Sequence, residues 1–461
     1  MRIPVLSGFQ ELETPHQRFL IFVAFNVVSW QNIVGPAMVL LARKIDMPEA
    51  FVGMLLSFLP FTALLLLVTM PLVTRFGPKR VMLWAWFWRN VICCLVFALP
   101  LALAFGGKRV AWAVLMTAIL GFCVMRALGS GGWLPWLHEI VAEDKRSTYF
   151  STETALTQII NVAIMLAQAV LLSGGDPSIA HFMAIYAIGI FMGFASLVSM
   201  GRIPGGESVP RGVSFREEMT AYMVAVRDRN FLAFMLAASF GVSSMVWLGA
   251  SNVMYMRDVL RLPDSATMAF NAVASLGVLF TVGSWGRFTE HSGSGRAMFK
   301  ALVGHAFACL LLLIMPVDAG WRGVGAATAL TLTSVFCAAF NVAANRAMLN
   351  QVPSEHRVGY TAAWTAATSL ALGVTPILAG AIIGAFGLWG FRICFILCVT
   401  TGLAGALVSL RVVRDHTTIP PAITAMLNPA MPLRTMARIF WITLGLHESN
   451  RPGNGNGPAP E

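Results

Sequence analysis

The chain has 461 residues, of which 57% are hydrophobic and only 11% charged, with a mean hydropathy of +0.73. A water-soluble domain carries about 25% charged residues, so water-soluble folds are excluded. Lys and Arg number 32 against 21 Asp and Glu, a formal charge of +11; in so apolar a chain this bears on membrane sidedness rather than on nucleic acid.

A bilayer-crossing helix needs about 20 mostly apolar residues, and such runs recur from Phe19 to Val413 between short polar breaks. They predict twelve spans, near 19–42, 51–73, 81–105, 110–132, 149–173, 181–201, 231–255, 265–287, 297–316, 323–345, 358–385 and 389–413. Helix is the economical choice, because lipid cannot satisfy backbone amides and the runs are too long for barrel strands. Thr14-Pro15-His16-Gln17 predicts a capping box ahead of span 1, and Ser214 with Glu217 a second one at mid-chain. The first run follows Glu11 and Glu13 and has no short core with a cleavage site, so it reads as a retained span rather than a signal peptide. All seven cysteines lie inside apolar runs, which implies neither a disulfide framework nor a metal site.

With both termini placed in the cytoplasm, 22 of the 32 basic residues fall in internal loops, 8 in external ones, and Arg89 and Arg126 within spans. The positive-inside rule favours that orientation, in a bacterial inner membrane. The expected organisation is a six-helix bundle over 1–201, a cytoplasmic linker over 202–230, a second bundle over 231–413 and a tail over 414–461. The linker predicts an amphipathic helix with Phe215, Met219, Met223 and Val226 on one side. The tail repeats this with Leu433, Met436, Phe440 and Leu444 before a disordered end.

The halves repeat. Pro48 matches Pro263, Gly77 and Arg80 match Gly293 and Arg296, and Val141, Arg146 and Tyr149 match Val352, Arg357 and Tyr360. Six spans per repeat is an even number, so both halves share one orientation as parallel repeats. The loop after span 2 reads Met70-Pro-Leu-Val-Thr74-Arg75-Phe-Gly77-Pro78-Lys79-Arg80, and that after span 8 reads Gly286-Arg-Phe-Thr-Glu290-His291-Ser-Gly293-Ser-Gly-Arg296. Span 4 is followed by a loop running from Trp133 through Glu139 and Arg146 to Tyr149. On these residues the chain resembles the major facilitator superfamily over most of its length. The first loop lacks the leading glycine and the aspartate of the family pattern, whereas the second keeps its glycines and an acid. The resemblance implies an all-α integral membrane fold of twelve transmembrane helices in two parallel-repeat six-helix bundles. It implies gating loops at Arg75, Gly77, Arg80, Arg146, Gly286, Glu290, Gly293, Arg296 and Arg357. It also implies latches in which Glu290 faces the start of span 5 and Thr74, more weakly, the start of span 11.

Ionisable side chains inside a span are costly and mark function by default. Arg89 on span 3 and Arg126 on span 4 are expected to pair with Glu153 on span 5 or Glu139 after span 4; the alternative for Arg89 is snorkelling to the headgroups beside Trp84, Trp86 and Trp88. Arg126 is also a candidate for anion recognition, and His305 reads as a packed core histidine. Neutral polar groups are better supplied, and in this fold spans 1, 4, 7 and 10 line the central cavity with help from 2, 5, 8 and 11. The cavity candidates are Asn26, Trp30, Gln31, Asn32, Arg126, Gln158, Asn161, Trp247, Asn252, Asn341, Asn345 and Trp364. Amides with indoles suit a neutral or weakly charged polar solute, sugars being one option.

The reading is a secondary active or facilitative transporter of a small polar solute, not an enzyme. It has no catalytic residues, cofactor, metal or nucleic-acid partner, and it is expected as a monomer among membrane lipid. A lipid or amphiphile exporter of the same fold and a non-transporting assembly or sensor protein are the alternatives. No Gly-x-x-x-x-Gly-Lys-Ser/Thr segment is present, which argues against direct ATP drive.

Overall fold

The computed structural model describes residues 13–141, 146–173, 176–207, 215–318, 320–352 and 357–413. Among them every regular element is a helix. Among the described residues eleven helices are long and apolar enough to cross a membrane, and the shorter Glu49–Ala63 continues into Leu66–Phe76 to complete a twelfth crossing. Span 1 is Thr14–Val34 and Pro36–Lys44, span 3 starts at Pro78 and reaches Phe105, and span 4 is Gly107–Ser130, followed by a short helix Trp133–Ile140. Spans 5 and 6 are Arg146–Leu171 and Ile179–Gly201. Span 7 runs over Arg229–Met254 into a π turn at Tyr255–Val259, and span 8 is Asp264–Ser292. Spans 9 to 12 are Ser294–Ile314, Arg322–Gln351, Arg357–Phe386 and Leu388–Val412.

Span 1 starts earlier than the hydropathy alone suggests. Thr14 is already helical, so Glu13 occupies the cap position and makes no side-chain cap bond; the expected Thr14 box is not formed. The span breaks after Val34 because Pro36 has no N–H and its ring would meet the carbonyl of Asn32. The amphipathic linker helix forms over Phe215–Arg227; Tyr222, Ala225 and Val226 pack on the second bundle, Met223 is 43% exposed, and the side chains of Phe215 and Met219 lie outside the described residues. Ser214 and the tail, with its expected helix, lie outside the described residues.

Twelve crossings return the chain to the face it left, so Glu13 and Val413 share one face, called here the terminal face, opposite the far face. The repeat is legible in backbone angles. Gly77 and Gly293 adopt φ 82° and 85° at the turns into spans 3 and 9, a left-handed conformation that glycine takes without a Cβ penalty. Asp46 and Arg261, the non-glycine residues with positive φ, sit at 54° and 52° two residues before Pro48 and Pro263. Ring contacts repeat as well: Phe19 of span 1 lies 6.5 Å from Tyr149 of span 5, and Phe231 of span 7 lies 4.5 Å from Tyr360 of span 11.

The bundles meet along spans 2 and 11, and along spans 5 and 8. The first seam is backbone on backbone: a Cβ on Gly53 would lie 2.2 Å from the Pro376 carbonyl oxygen, and one on Gly380 would lie 2.3 Å from that of Glu49. These residues belong to the far half. The terminal half of span 2, Leu66–Phe76, packs instead on spans 3 and 4 of its own bundle. The two bundles are therefore joined at the far face and diverge toward the terminal face.

Candidate functional site

At the far face the ends of spans 1, 2, 7 and 8 carry a charge network. Arg43 pairs with Glu49 at 2.9 Å within the first bundle and with Asp258 at 2.9 Å across to the second. Arg257 donates to the Leu40 carbonyl at 2.6 Å, again across the interface, and lies 3.7 Å from Asp264. At the rim Lys44 reaches Asp176 at 2.5 Å and Lys108 reaches Asp46 at 2.7 Å. The lysine hydrogen bonds hold both rim carboxyls below their ordinary range. Sequence reasoning missed this network, although the repeat carried a signal: the offset that aligns Pro48 with Pro263 also aligns Arg43 with Asp258 and Glu49 with Asp264.

Within the first bundle, two expected cavity residues have other work. Asn26 accepts from Trp86 Nε1 at 3.0 Å and from Arg89 Nη1 at 2.9 Å. Asn32 is buried, donates to the Val28 carbonyl and accepts from Gln168 Nε2 at 2.9 Å. Both amides thus tie helices of one bundle together, a role their span position could not distinguish from solute binding. Trp30 is half-buried against the same core, and Gln31 is buried with its Nε2 unpartnered. Gln168, which sequence reasoning missed, is buried with a free Oε1.

The expected arginine–glutamate pairing is not formed. Arg89 is fully buried, not snorkelled, and lies 4.8 Å from the rings of both Trp86 and Phe122. Cation–π contact and the Asn26 bond take the place of a carboxylate. Arg126 is half-buried and Glu153 has a buried Oε2 without a partner; neither is in an ion pair among the described residues. Glu139 is exposed and accepts from the Gly206 amide at 3.1 Å. It belongs to a strap in which Lys79 donates to the carbonyls of Ile203 and, through its backbone, Gly206, while Trp136 Nε1 donates to Pro204. The strap binds the linker's start to the loop after span 2.

On span 10, Asn341 and Asn345 are exposed and share one face a single turn apart. On span 5, Gln158 and Asn161 are half-buried, and Asn161 Oδ1 has no partner; nor has Asn252 Oδ1 on span 7. Trp247 is buried in the core of the far half, and Trp364 is half-buried and stacks on Phe234 at 5.1 Å. His305 binds the Thr333 carbonyl at 3.3 Å and Cys398 Sγ at 3.5 Å inside the second bundle, a packed histidine as expected.

Among the gating-loop residues, Arg75 and Arg80 are exposed and Gly286 is half-buried in its helix. Arg296 is half-buried at the start of span 9. Glu290 is exposed and makes no ion pair among the described residues; the side chains of 146–148 at the start of span 5, which its latch is expected to face, lie outside the described residues. Arg146 and Arg357 open spans 5 and 11, but their side chains, with that of Thr74, lie outside the described residues.

Solved structures share this architecture. Two structures of a nucleoside transporter, NupG, superpose with TM-scores of 0.67 (a point mutant) and 0.62 at 12% identity, over 87% of this chain and 100% and 98% of theirs. Its fold is that of the major facilitator superfamily. Residues 285–446 also match the family model described as Major Facilitator Superfamily. A bacterial homologue of the iron transporter ferroportin in an inward-facing state gives a TM-score of 0.63 at 12% identity, over 87% of this chain and 99% of that one. A bacterial homologue of the human lysosomal transporter Spinster gives 0.57 at 13%, over 94% and 98%. No curated protein matches the sequence. The partial family match and these solved structures give the chain a multi-helix membrane fold shared with transporters.

Proposed function

We propose that the protein is a secondary active or facilitative transporter of a small polar solute, working by alternating access between bundles formed by residues 1–201 and 231–413. The observation that carries this reading is the asymmetry of the bundle interface. Its far half is sealed by the Gly53–Pro376 seam and the Arg43–Asp258 pair, while in the terminal halves of the bundles Asn341 and Asn345 are exposed, and Arg126 and the Glu153 Oε2 have no hydrogen-bond or ion-pair partner among the described residues. Polar groups without partners at membrane depth are costly unless they line water or a ligand, and a few such groups in a concave, mostly apolar wall are what a small-molecule site needs. The basic bias makes the terminal face cytoplasmic in a bacterial inner membrane, so the state described opens inward.

A thermal-shift screen of the purified protein against sugars, amino acids, organic anions and drugs tests this, followed by uptake into liposomes. The expected result is a stabilising polar solute whose binding weakens about three- to tenfold in Asn341→Ala, the worth of one net hydrogen bond. Asn32→Ala should lower melting temperature and leave the solute preference unchanged. Stabilisation only by long-chain amphiphiles, insensitive to Asn341 and Asn345, would overturn the polar-solute reading in favour of an amphiphile exporter.

A further inference from the structure

The first bundle holds two guanidinium groups on adjoining helices and no carboxylate bound to either. Arg89 is 0% exposed; its Nη1 is taken by Asn26, its Nε lies 3.4 Å from Asn90 Oδ1, and its Nη2 has no partner. Its planar head lies against Phe122 of span 4 at 4.8 Å. Arg126 is one helical turn beyond Phe122 on the same face of that span. This face also carries Ala111, Leu115, Ala118 and Gly129, all buried, so it is turned into the protein and away from lipid. The Arg126 guanidinium makes no hydrogen bond or ion pair among the described residues. Glu153 on span 5 is in no ion pair with either arginine, and its Oε2 has no partner.

Arginine does not shed its proton in proteins. Two fixed positive charges at this depth therefore need compensation. Arg89 obtains it from two aromatic faces and an amide oxygen, whereas Arg126, which is half-buried and so reachable, obtains none from the protein. With no carboxylate bound to either guanidinium among the described residues, the site is net positive. A planar fork of donors matches the paired oxygens of a carboxylate or phosphate.

Resting on the transporter reading, we propose that Arg126 is the oxyanion subsite of the transported solute, which is an organic acid or phosphate ester. Arg89 is a positioning residue behind it: its charge adds to the field, and its stack on Trp86 and Phe122 fixes the turn from which Arg126 projects. The amides Asn341 and Asn345 face the rest of the solute.

The test uses the full-length purified protein and matched probes: benzoate with benzamide, lactate with lactamide, and glycerol 3-phosphate with glycerol. Binding is followed by thermal shift and by tryptophan fluorescence, to which Trp86 contributes through its contact with Arg89. At least one acid or phosphate member is expected to bind at least tenfold more tightly than its neutral partner. Arg126→Gln should remove that preference, and Arg126→Lys should keep part of it. Arg89→Lys should weaken the acid without changing the neutral partner; if Arg89 variants do not fold, Arg126→Gln alone decides. Neutral members binding as well as the acids, or acid binding unchanged in Arg126→Gln, overturns the oxyanion subsite while the transporter reading stands. No binding by any of the six overturns the oxyanion subsite, and the transporter reading is then decided by the wider solute screen and uptake assay. An equal Arg126-dependent shift produced by phosphatidylglycerol in place of the acids assigns the oxyanion to a lipid headgroup and overturns the solute assignment.

Discussion

The two halves of the bundle interface are made of different chemistry. Toward the far face, charges are paired across it and glycines let backbones touch: Arg43 meets Asp258 at 2.9 Å, and Gly380 brings span 11 against the Glu49 carbonyl. Toward the terminal face, the charged groups Arg126 and Glu153 are in no ion pair among the described residues. A paired charge has had its desolvation cost offset within the protein, and its loss strands the other member. An unpaired one still carries that cost, and a ligand can offset it. The far half thus reads as a closure and the terminal half as a binding surface. Alternating access requires the closure to come apart once per cycle.

The largest effect should come from making the closure permanent. A Cβ on Gly384 would lie 3.9 Å from that of Glu49, within the range that a disulfide spans. Glu49→Cys with Gly384→Cys should therefore cross-link spans 2 and 11 on oxidation. Uptake into liposomes should fall more than tenfold and return on reduction, while the tryptophan-monitored affinity for solute from the terminal face is kept. Full uptake by the cross-linked protein would mean that this seam does not open during transport.

Reversing a pair is gentler than locking a seam. Arg43 and Asp258 are about one fifth and one quarter exposed, between the surface case, worth about 0–1 kcal/mol, and the buried case, where removing one partner costs about 3–5 kcal/mol. Asp258→Asn should shift the balance of states by about five- to tenfold toward far-face opening, read as faster labelling of a single cysteine placed at Val39. The swap of Arg43→Asp with Asp258→Arg should restore part of the closure. Arg43 also binds Glu49, so restoration is expected to be incomplete. A swap no better than either single variant would show that the pair does not act as a unit.

How much of this could be read from the sequence follows from what each feature depends on. Span number, the parallel repeat and the paired turns at Gly77 and Gly293 rest on hydropathy and local backbone demands, which a sequence displays directly. Toward the end of the linker's apolar face Val226 followed but Met223 did not, because Tyr222 in its place packs on the bundle. Polar side chains were least legible. Asn26 and Asn345 are both amides on cavity-lining spans, yet one binds Arg89 inside its bundle and the other is exposed. That difference depends on helix rotation and on a partner more than sixty residues away. Similarly, a pairing of Arg89 with an acid was a fair expectation from charge alone, but two aromatic faces and an amide supply its surroundings.

The smallest effect should come from the rim. Asp176 and Asp46 are held below the ordinary carboxylate range, chiefly by hydrogen bonds from Lys44 and Lys108. For a depressed carboxyl, the contribution is present above the ordinary value of about 3.9 and fades as pH falls through the lowered one. Both rim acids therefore stay ionised from pH 5 to 8, and both are well exposed, with Asp176 open to solvent at 80% of its side chain. Exposed pairs are weak and screened. Asp176→Asn should change labelling at Val39→Cys by less than twofold, with no pH dependence in that window. A steep change between pH 5 and 8 that disappears in Asp176→Asn would place the closure at the rim, and the inner pair of Arg43 and Asp258 would then be only its support.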